Sequence, residues 1–133
     1  MYNKLDHIGI AVEDLEQAIE LYRDKLGMEC AGTEEVAEQK VRVAFFPAGE
    51  SSIELLEPTS PDSPIARFIE KKGAGIHHIA LGVDDVATAI EKLLGQGVEM
   101  IDHKPRSGAH GAQIAFIHPK STPGVLIELC QRK

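Results

Sequence analysis

Four residues of two types could do chemistry together: His7, Glu54, His78 and Glu128. Each His lies in a run of apolar and β-branched residues. Each Glu is the centre of an Ile-Glu-Leu triplet, Ile53 to Leu55 and Ile127 to Leu129. In a strand the two flanking side chains of such a triplet point one way and the Glu points the other, to solvent or into a polar cavity. A carboxylate buried without a partner costs several kcal/mol or takes up a proton. Two imidazoles and two carboxylates in one place suit a divalent transition ion, with open positions left for substrate or water.

An internal repeat is what links these residues. The segment from His7 to Glu20 matches that from His78 to Glu91, 71 residues further on, with His, Ile, Val, Asp, Ala, Ile and Glu recurring in place. Val43 to Phe46 meets Ile114 to Ile117 at the same offset. Ile53 to Leu55 then meets Ile127 to Leu129 at an offset of 74, as a short insertion near Ser121 to Gly124 would produce. Each copy carries one His on its first strand and one Glu on its last, and a pseudo-two-fold axis would gather all four. His77 and His78 are neighbours, so a strand points them to opposite faces. His7 aligns with His78 and Asp6 with His77, so His78 is the expected ligand. His103, His110 and His118 have no counterpart in the first copy.

The elements that must hold these residues read the same way twice. Lys4 to Val12 is an expected strand. Asp14 and Gln17 form a capping-box pattern, Leu15, Ala18, Ile19, Tyr22 and Leu26 follow helical spacing, and Gly27 ends the helix. Strands are expected at 28–37, 39–47 and 51–57, with a turn at Ala48 to Glu50. The second copy has a strand at 76–83, a helix at about 85–96 ended by Gly97, and strands near 98–102, 113–118 and 125–131. A Pro-rich stretch from Pro58 to Pro64 and a short amphipathic helix from Ile65 to Lys72 connect the copies. The expected fold class is α+β. Two βαβββ modules, about 4–57 and 76–131 with a linker and short helix at 58–75, form one curved mixed β-sheet cleft. Residues 1–133 make a single domain, and pairing the halves covers their open edges.

Bulk composition narrows the partners. The 133 residues carry a net charge of −7, with 43% apolar and 26% charged residues, an ordinary globular profile. No basic stripe suggests nucleic acid. No apolar run reaches the length of a membrane span, and the N-terminus does not read as a signal peptide, so no membrane is expected and the expected location is cytoplasmic. Cys30 and Cys130 form no CxxC and are read as reduced, small strand residues.

With these residues in place, the chain resembles the vicinal oxygen chelate superfamily of glyoxalases, extradiol dioxygenases and fosfomycin-resistance proteins over nearly its whole length. Within it the match is closest to the methylmalonyl-CoA epimerases. The residues that carry the resemblance are Leu5 to Val12, Ile53 to Pro58, Gly75 to Ala80, Gly108 to Gly111, and His118 to Ser121 running into Gly124 to Leu129. The last two stretches are the more specific to epimerases. The resemblance implies one divalent ion on His7, Glu54, His78 and Glu128, with Co²⁺ favoured and Mn²⁺, Ni²⁺, Zn²⁺ or Mg²⁺ compatible. It also implies an acyl-CoA substrate and a homodimer. Glu54 is a departure, because some epimerases have Gln there. The stretch Val41 to Phe45 is another, since some members carry an acid on that strand and this chain has none.

The implied reaction interconverts (R)- and (S)-methylmalonyl-CoA by removing and returning the proton on carbon 2 through a metal-stabilised enolate. Glu128 is the expected principal base and Glu54 its symmetric partner. Arg42, Lys104, Arg106 and Lys120 are the cations nearest the expected cleft loops. Lys120 lies inside the epimerase-like motif, and the Gly108 to Gly111 loop with His110 could close over the thioester. Lys120, His110 and Arg106 are therefore the expected substrate contacts. One rival is a glyoxalase I-type isomerase (lactoylglutathione lyase), which uses the same four ligands, although His118-Pro-Lys-Ser-Thr-Pro-Gly124 is not the Asp-Pro-Asp-Gly-like turn usual there. Another is a non-enzymatic small-molecule-binding module, a class whose members usually lose the four-residue set.

Overall fold

The computed structural model describes residues 1–133. Contacts divide the chain into two compact units, His7–His77, and Met1–Asp6 together with His78–Lys133. No helix is long and apolar enough to cross a membrane.

The His7–His77 unit is built from β1 (Tyr2–Ala11, which contributes its residues from His7 onward), α1 (Leu15–Ile19), β2 (Thr33–Val36), β3 (Val41–Ala48), β4 (Ser51–Pro58) and α2 (Pro64–Lys72). The strand order is β2-β3-β4-β1. β3 and β4 form an antiparallel hairpin closed at Gly49, whose φ of 65° suits glycine. β1 runs parallel to β4. Asp14 caps α1 by accepting the Gln17 N–H at 3.1 Å. Leu15 and Ile19 of α1 pack on Ala44, Phe46 and Leu55, with Ile10, Ile53 and Tyr22 around them. Each such side chain contributes about 1.5–3 kcal/mol on full burial. Alternation then fixes the opposite sheet face, where His7 and Glu54 lie.

Two expectations for this unit need correction. The helix does not run on regularly to Gly27: residues Glu20–Lys25 form a wider turn, with Leu26 N–H donating to Leu21 O at 2.9 Å. The second strand spans only Thr33–Val36, because Gly27 and Gly32, with φ of 76° and 120°, bend the chain on either side of Met28 to Ala31. Cys30 therefore lies outside any strand, half-buried against the α1 cluster.

The other unit contains β5 (Gly75–Val83, from His78 onward), α3 (Val86–Gly95), β6 (Arg106–Ser107), β7 (Gln113–Ile117) and β8 (Ile127–Gln131), in the order β5-β8-β7-β6. β5 is parallel to β8, and β8–β7 and β7–β6 are antiparallel. Asp85 caps α3 through the Thr88 N–H, as Asp14 caps α1. Val86, Ala89 and Ile90 of α3 pack on Val83, Met100, Ala115, Ile117 and Leu129. Both units thus have a mixed sheet with a helix on one face, the α+β pattern the repeat implied.

The strand expected at 98–102 is reduced to a single bridge, Met100 to Ile117. Asp102 is the reason. Its carboxylate accepts the Phe116 N–H at 2.9 Å, while the N–H groups of Ile101 and Asp102 both turn to the Phe116 carbonyl. A side chain has replaced the next rung of the ladder. Pairing resumes past Pro105 as the two-residue β6, which periodicity does not reveal.

Candidate metal centre

In the His7–His77 unit, the parallel register sets Gly9 beside Glu54 and His7 beside Ser52, so His7 and Glu54 share a face. Gly9 offers no side chain between them. His7 Nδ1 lies 3.2 Å from Glu54 Oε2, and each residue is only 4% exposed. In the other unit, Ala80 lies beside Glu128, and His78 shares that face. His78 Nε2 lies 3.3 Å from Glu128 Oε1, and both residues are again buried. Gly9 and Ala80 are repeat equivalents, so a small residue stands beside the Glu in each unit. Phe45 pairs with Glu54 and Phe116 with Glu128, again at equivalent positions. The Phe116 ring meets His78 at right angles, 5.7 Å between centroids.

The donor set fits a divalent ion. Nitrogen and carboxylate ligands at about 2.0–2.2 Å from one ion stand roughly 3.0–3.5 Å apart when they are adjacent. The distances of 3.2 and 3.3 Å fall in that range. Each unit therefore presents a buried pair, one imidazole and one carboxylate, spaced as neighbouring ligands on the face away from its helix.

The other expected residues divide. His77 faces away from His78 and packs edge-on against Phe68 of α2, 5.0 Å between ring centroids. Burial pushes its imidazole down to about 4, so it is neutral near pH 7. Arg42 is not a cleft residue. It bonds Glu16 at 3.1 Å and Glu57 at 3.2 Å on the α1 side of the sheet, and Glu16 raises its pKa further. Arg106 stacks over Phe116, with its Cζ 5.6 Å from the ring centroid. His110 is exposed at the tip of the Ala109–Gly111 turn with φ of 57°. Lys120 is exposed too, and its backbone N–H donates to His118 Nδ1 at 3.0 Å.

The profile of the Glyoxalase/Bleomycin resistance protein/Dioxygenase superfamily matches residues 6–116. The chain belongs to that superfamily. Among the superfamily's members, an ethylmalonyl-CoA/methylmalonyl-CoA epimerase of Cereibacter sphaeroides is 41% identical over 133 residues, covering 98% of this chain and 99% of that one. The crystal structure of methylmalonyl-CoA epimerase from Mycobacterium tuberculosis is 40% identical with a TM-score of 0.95, covering 99% of this chain and 89% of that one. A Streptomyces coelicolor methylmalonyl-CoA epimerase variant, solved with 2-nitronate-propionyl-CoA, is 39% identical with a TM-score of 0.93, covering 98% and 95%.

Sequence reading missed a second layer of this superfamily member's repeat. Glu57 Oε2 accepts the Leu15 N–H at 2.9 Å, and Gln131 Oε1 accepts the Val86 N–H at 2.8 Å. Glu57 and Gln131 are 74 residues apart, the offset of Glu54 and Glu128. Extending the Ile-Glu-Leu alignment by two residues would have found them. Also unforeseen was Arg132, which grips Asp6 through two nitrogens, at 2.7 and 3.2 Å, and bonds the Ala109 carbonyl.

Proposed function

We propose that this chain is a methylmalonyl-CoA epimerase, interconverting the (R) and (S) forms by proton exchange at carbon 2. One observation carries the reading. A buried imidazole–carboxylate pair at ligand spacing occurs twice, at repeat-equivalent positions, in a chain about 40% identical to epimerases over nearly its full length. His7, Glu54, His78 and Glu128 would together hold one divalent ion, Co²⁺ by preference. The two modules then act as one domain, since each carries half of the donors. Cys30 and Cys130 are both free thiols, in keeping with a cytoplasmic protein, and a homodimer is the proposed assembly.

Carbon 2 of the substrate lies between a thioester and a carboxylate, and its proton is weakly acidic in water. The bound ion would supply positive charge where the enolate's negative charge builds up on the thioester oxygen. Glu128, through a carboxylate oxygen turned to the substrate, takes the proton from carbon 2. Glu54, its repeat equivalent, or a water at the site would return a proton to the opposite face, which inverts the centre. Both carboxylates are buried, which keeps bulk water away from the exchanging proton. Lys120, His110 and Arg106 are the proposed substrate contacts.

The test is exchange at carbon 2. Methylmalonyl-CoA in deuterated water, with metal-replete protein, should acquire deuterium at that carbon by NMR. Metal-replete protein that leaves the proton in place while isomerising a glutathione hemithioacetal would favour the lactoylglutathione lyase reading instead.

A further inference from the structure

We propose that Arg106 determines which acyl groups the site accepts, by binding the carboxylate of the acyl moiety and so selecting thioesters with a carboxylate on carbon 2. The inference rests on the functional reading above and adds a specificity residue to it.

The placement comes from strand register. Arg106 pairs with Ile114 on β6–β7, and Phe116, two residues on, pairs with Glu128 on β8. Arg106, Phe116, Glu128 and His78 therefore share the sheet face opposite α3. The guanidinium stacks over the Phe116 ring, whose neighbour on the same face is the His78 imidazole. One aromatic ring thus separates this cation from a proposed metal ligand. That is the acyl end of the substrate, a full pantetheine arm from the CoA phosphates.

The orientation comes from Asp102. Its Oδ2 is anchored by the Phe116 N–H at 2.9 Å, and its Oδ1 lies 3.3 Å from Arg106 Nε. The Nε atom is buried and faces Asp102 as an ion contact without hydrogen-bond geometry. The side chain is nevertheless 37% exposed, its Nε facing Asp102 and its guanidinium carbon lying over the Phe116 ring. The other structural arginines behave differently. Arg132 engages Nε and both terminal nitrogens, on Asp6 and Ala109, and Arg42 divides its terminal nitrogens between Glu16 and Glu57. Arg106 faces Asp102 with its inner nitrogen and lies over the Phe116 ring, which leaves the outer fork to a ligand. A planar fork of this kind matches a carboxylate through two parallel hydrogen bonds.

Two acyl-CoA compounds separate this role from a structural one. Methylmalonyl-CoA carries the carboxylate. 2-Methylacetoacetyl-CoA has the same CoA arm and a 1,3-dicarbonyl, with a neutral ketone in place of the carboxylate. Binding of each to Co²⁺-supplied protein would be measured by calorimetry for wild type, Arg106→Gln and Arg106→Lys, with thermal midpoints on the same samples. For Arg106→Gln, the Kd for methylmalonyl-CoA should rise about 30-fold, the scale of a lost charge-assisted pair, while the Kd for 2-methylacetoacetyl-CoA stays within about two-fold. Arg106→Lys should fall between, since it keeps the charge and loses the fork. Equal weakening toward both compounds would overturn the proposal and put Arg106 on the CoA arm or in the fold. Unchanged binding of both would overturn it as well. Wild-type protein that binds methylmalonyl-CoA tightly but exchanges no proton would remove the epimerase reading and leave the Arg106 assignment standing.

Discussion

Glu57 Oε2 accepts the backbone N–H of Leu15 at 2.9 Å, so the last strand of the first module closes the first turn of that module's helix. The first N–H groups of a helix have no partner within it, and here a strand supplies one. Glu57→Ala should lower stability by about 1–2 kcal/mol, the usual scale for a lost N-terminal cap. Glu57→Gln, which keeps the acceptor, should cost less. Chemical denaturation of both variants checks this. Activity per folded molecule should not change, because Glu57 lies on the α1 side of the sheet. A variant that keeps its stability but loses activity would put Glu57 at the site.

Metal removal is the broadest test. Exhaustive chelation should abolish deuterium exchange at carbon 2, and Co²⁺ or Mn²⁺ should restore it. Full activity in protein shown by elemental analysis to be metal-free would reject the metal-dependent mechanism.

His77 and His78 are neighbours with opposite fates. His78 stands 3.3 Å from Glu128, while His77 packs on Phe68 as a neutral ring. His78→Ala should sharply reduce bound metal, read by elemental analysis after dialysis. His77→Ala should keep its metal and lose only the packing against α2, seen as a lower thermal midpoint. Equal metal loss in the two variants would contradict the assigned face.

Glu54 and Glu128 are equivalent in the repeat but are proposed to differ in catalysis. At saturating metal, Glu128→Gln keeps an oxygen ligand yet cannot accept a proton, and should lose about 10²-fold or more in kcat. Glu54→Gln places there a residue some relatives use and should keep substantial activity. Both measurements need metal content from the same samples. The reverse pattern would exchange the two roles. Loss of activity in both variants, fully metallated, would make the carboxylates an equal two-base pair.

The repeat made much of this arrangement legible in the chain itself. The Asp14 and Asp85 caps and the hairpin at Gly49 follow from local residue types. They read correctly because periodicity and capping act over a few residues. Contacts set by strand order were harder to see. Nothing near Glu57 shows that it will meet Leu15, because that depends on β4 lying beside β1. Likewise, Asp102 looks like a strand-end residue until the Phe116 N–H is found on it, and the two-residue β6 is too short to show a period. Arg42 departs from the expectation for a related reason. Its charge suggested an anionic ligand, but its parity in β3 puts it beside Glu57, on the helix side.

The three residues by which the second module outgrows the first are housed in the segment from His118 to Val125. There Ser121 N–H returns to His118 O, Val125 N–H to Thr122 O, and Ser121 Oγ takes the Glu99 N–H. The added length is folded into its own small knot of turns before β8 begins. The pairing of Phe116 with Glu128 therefore matches that of Phe45 with Glu54 despite the unequal connections. Growth of the chain was absorbed at a hairpin tip, and the spacing of the two carboxylates did not record it.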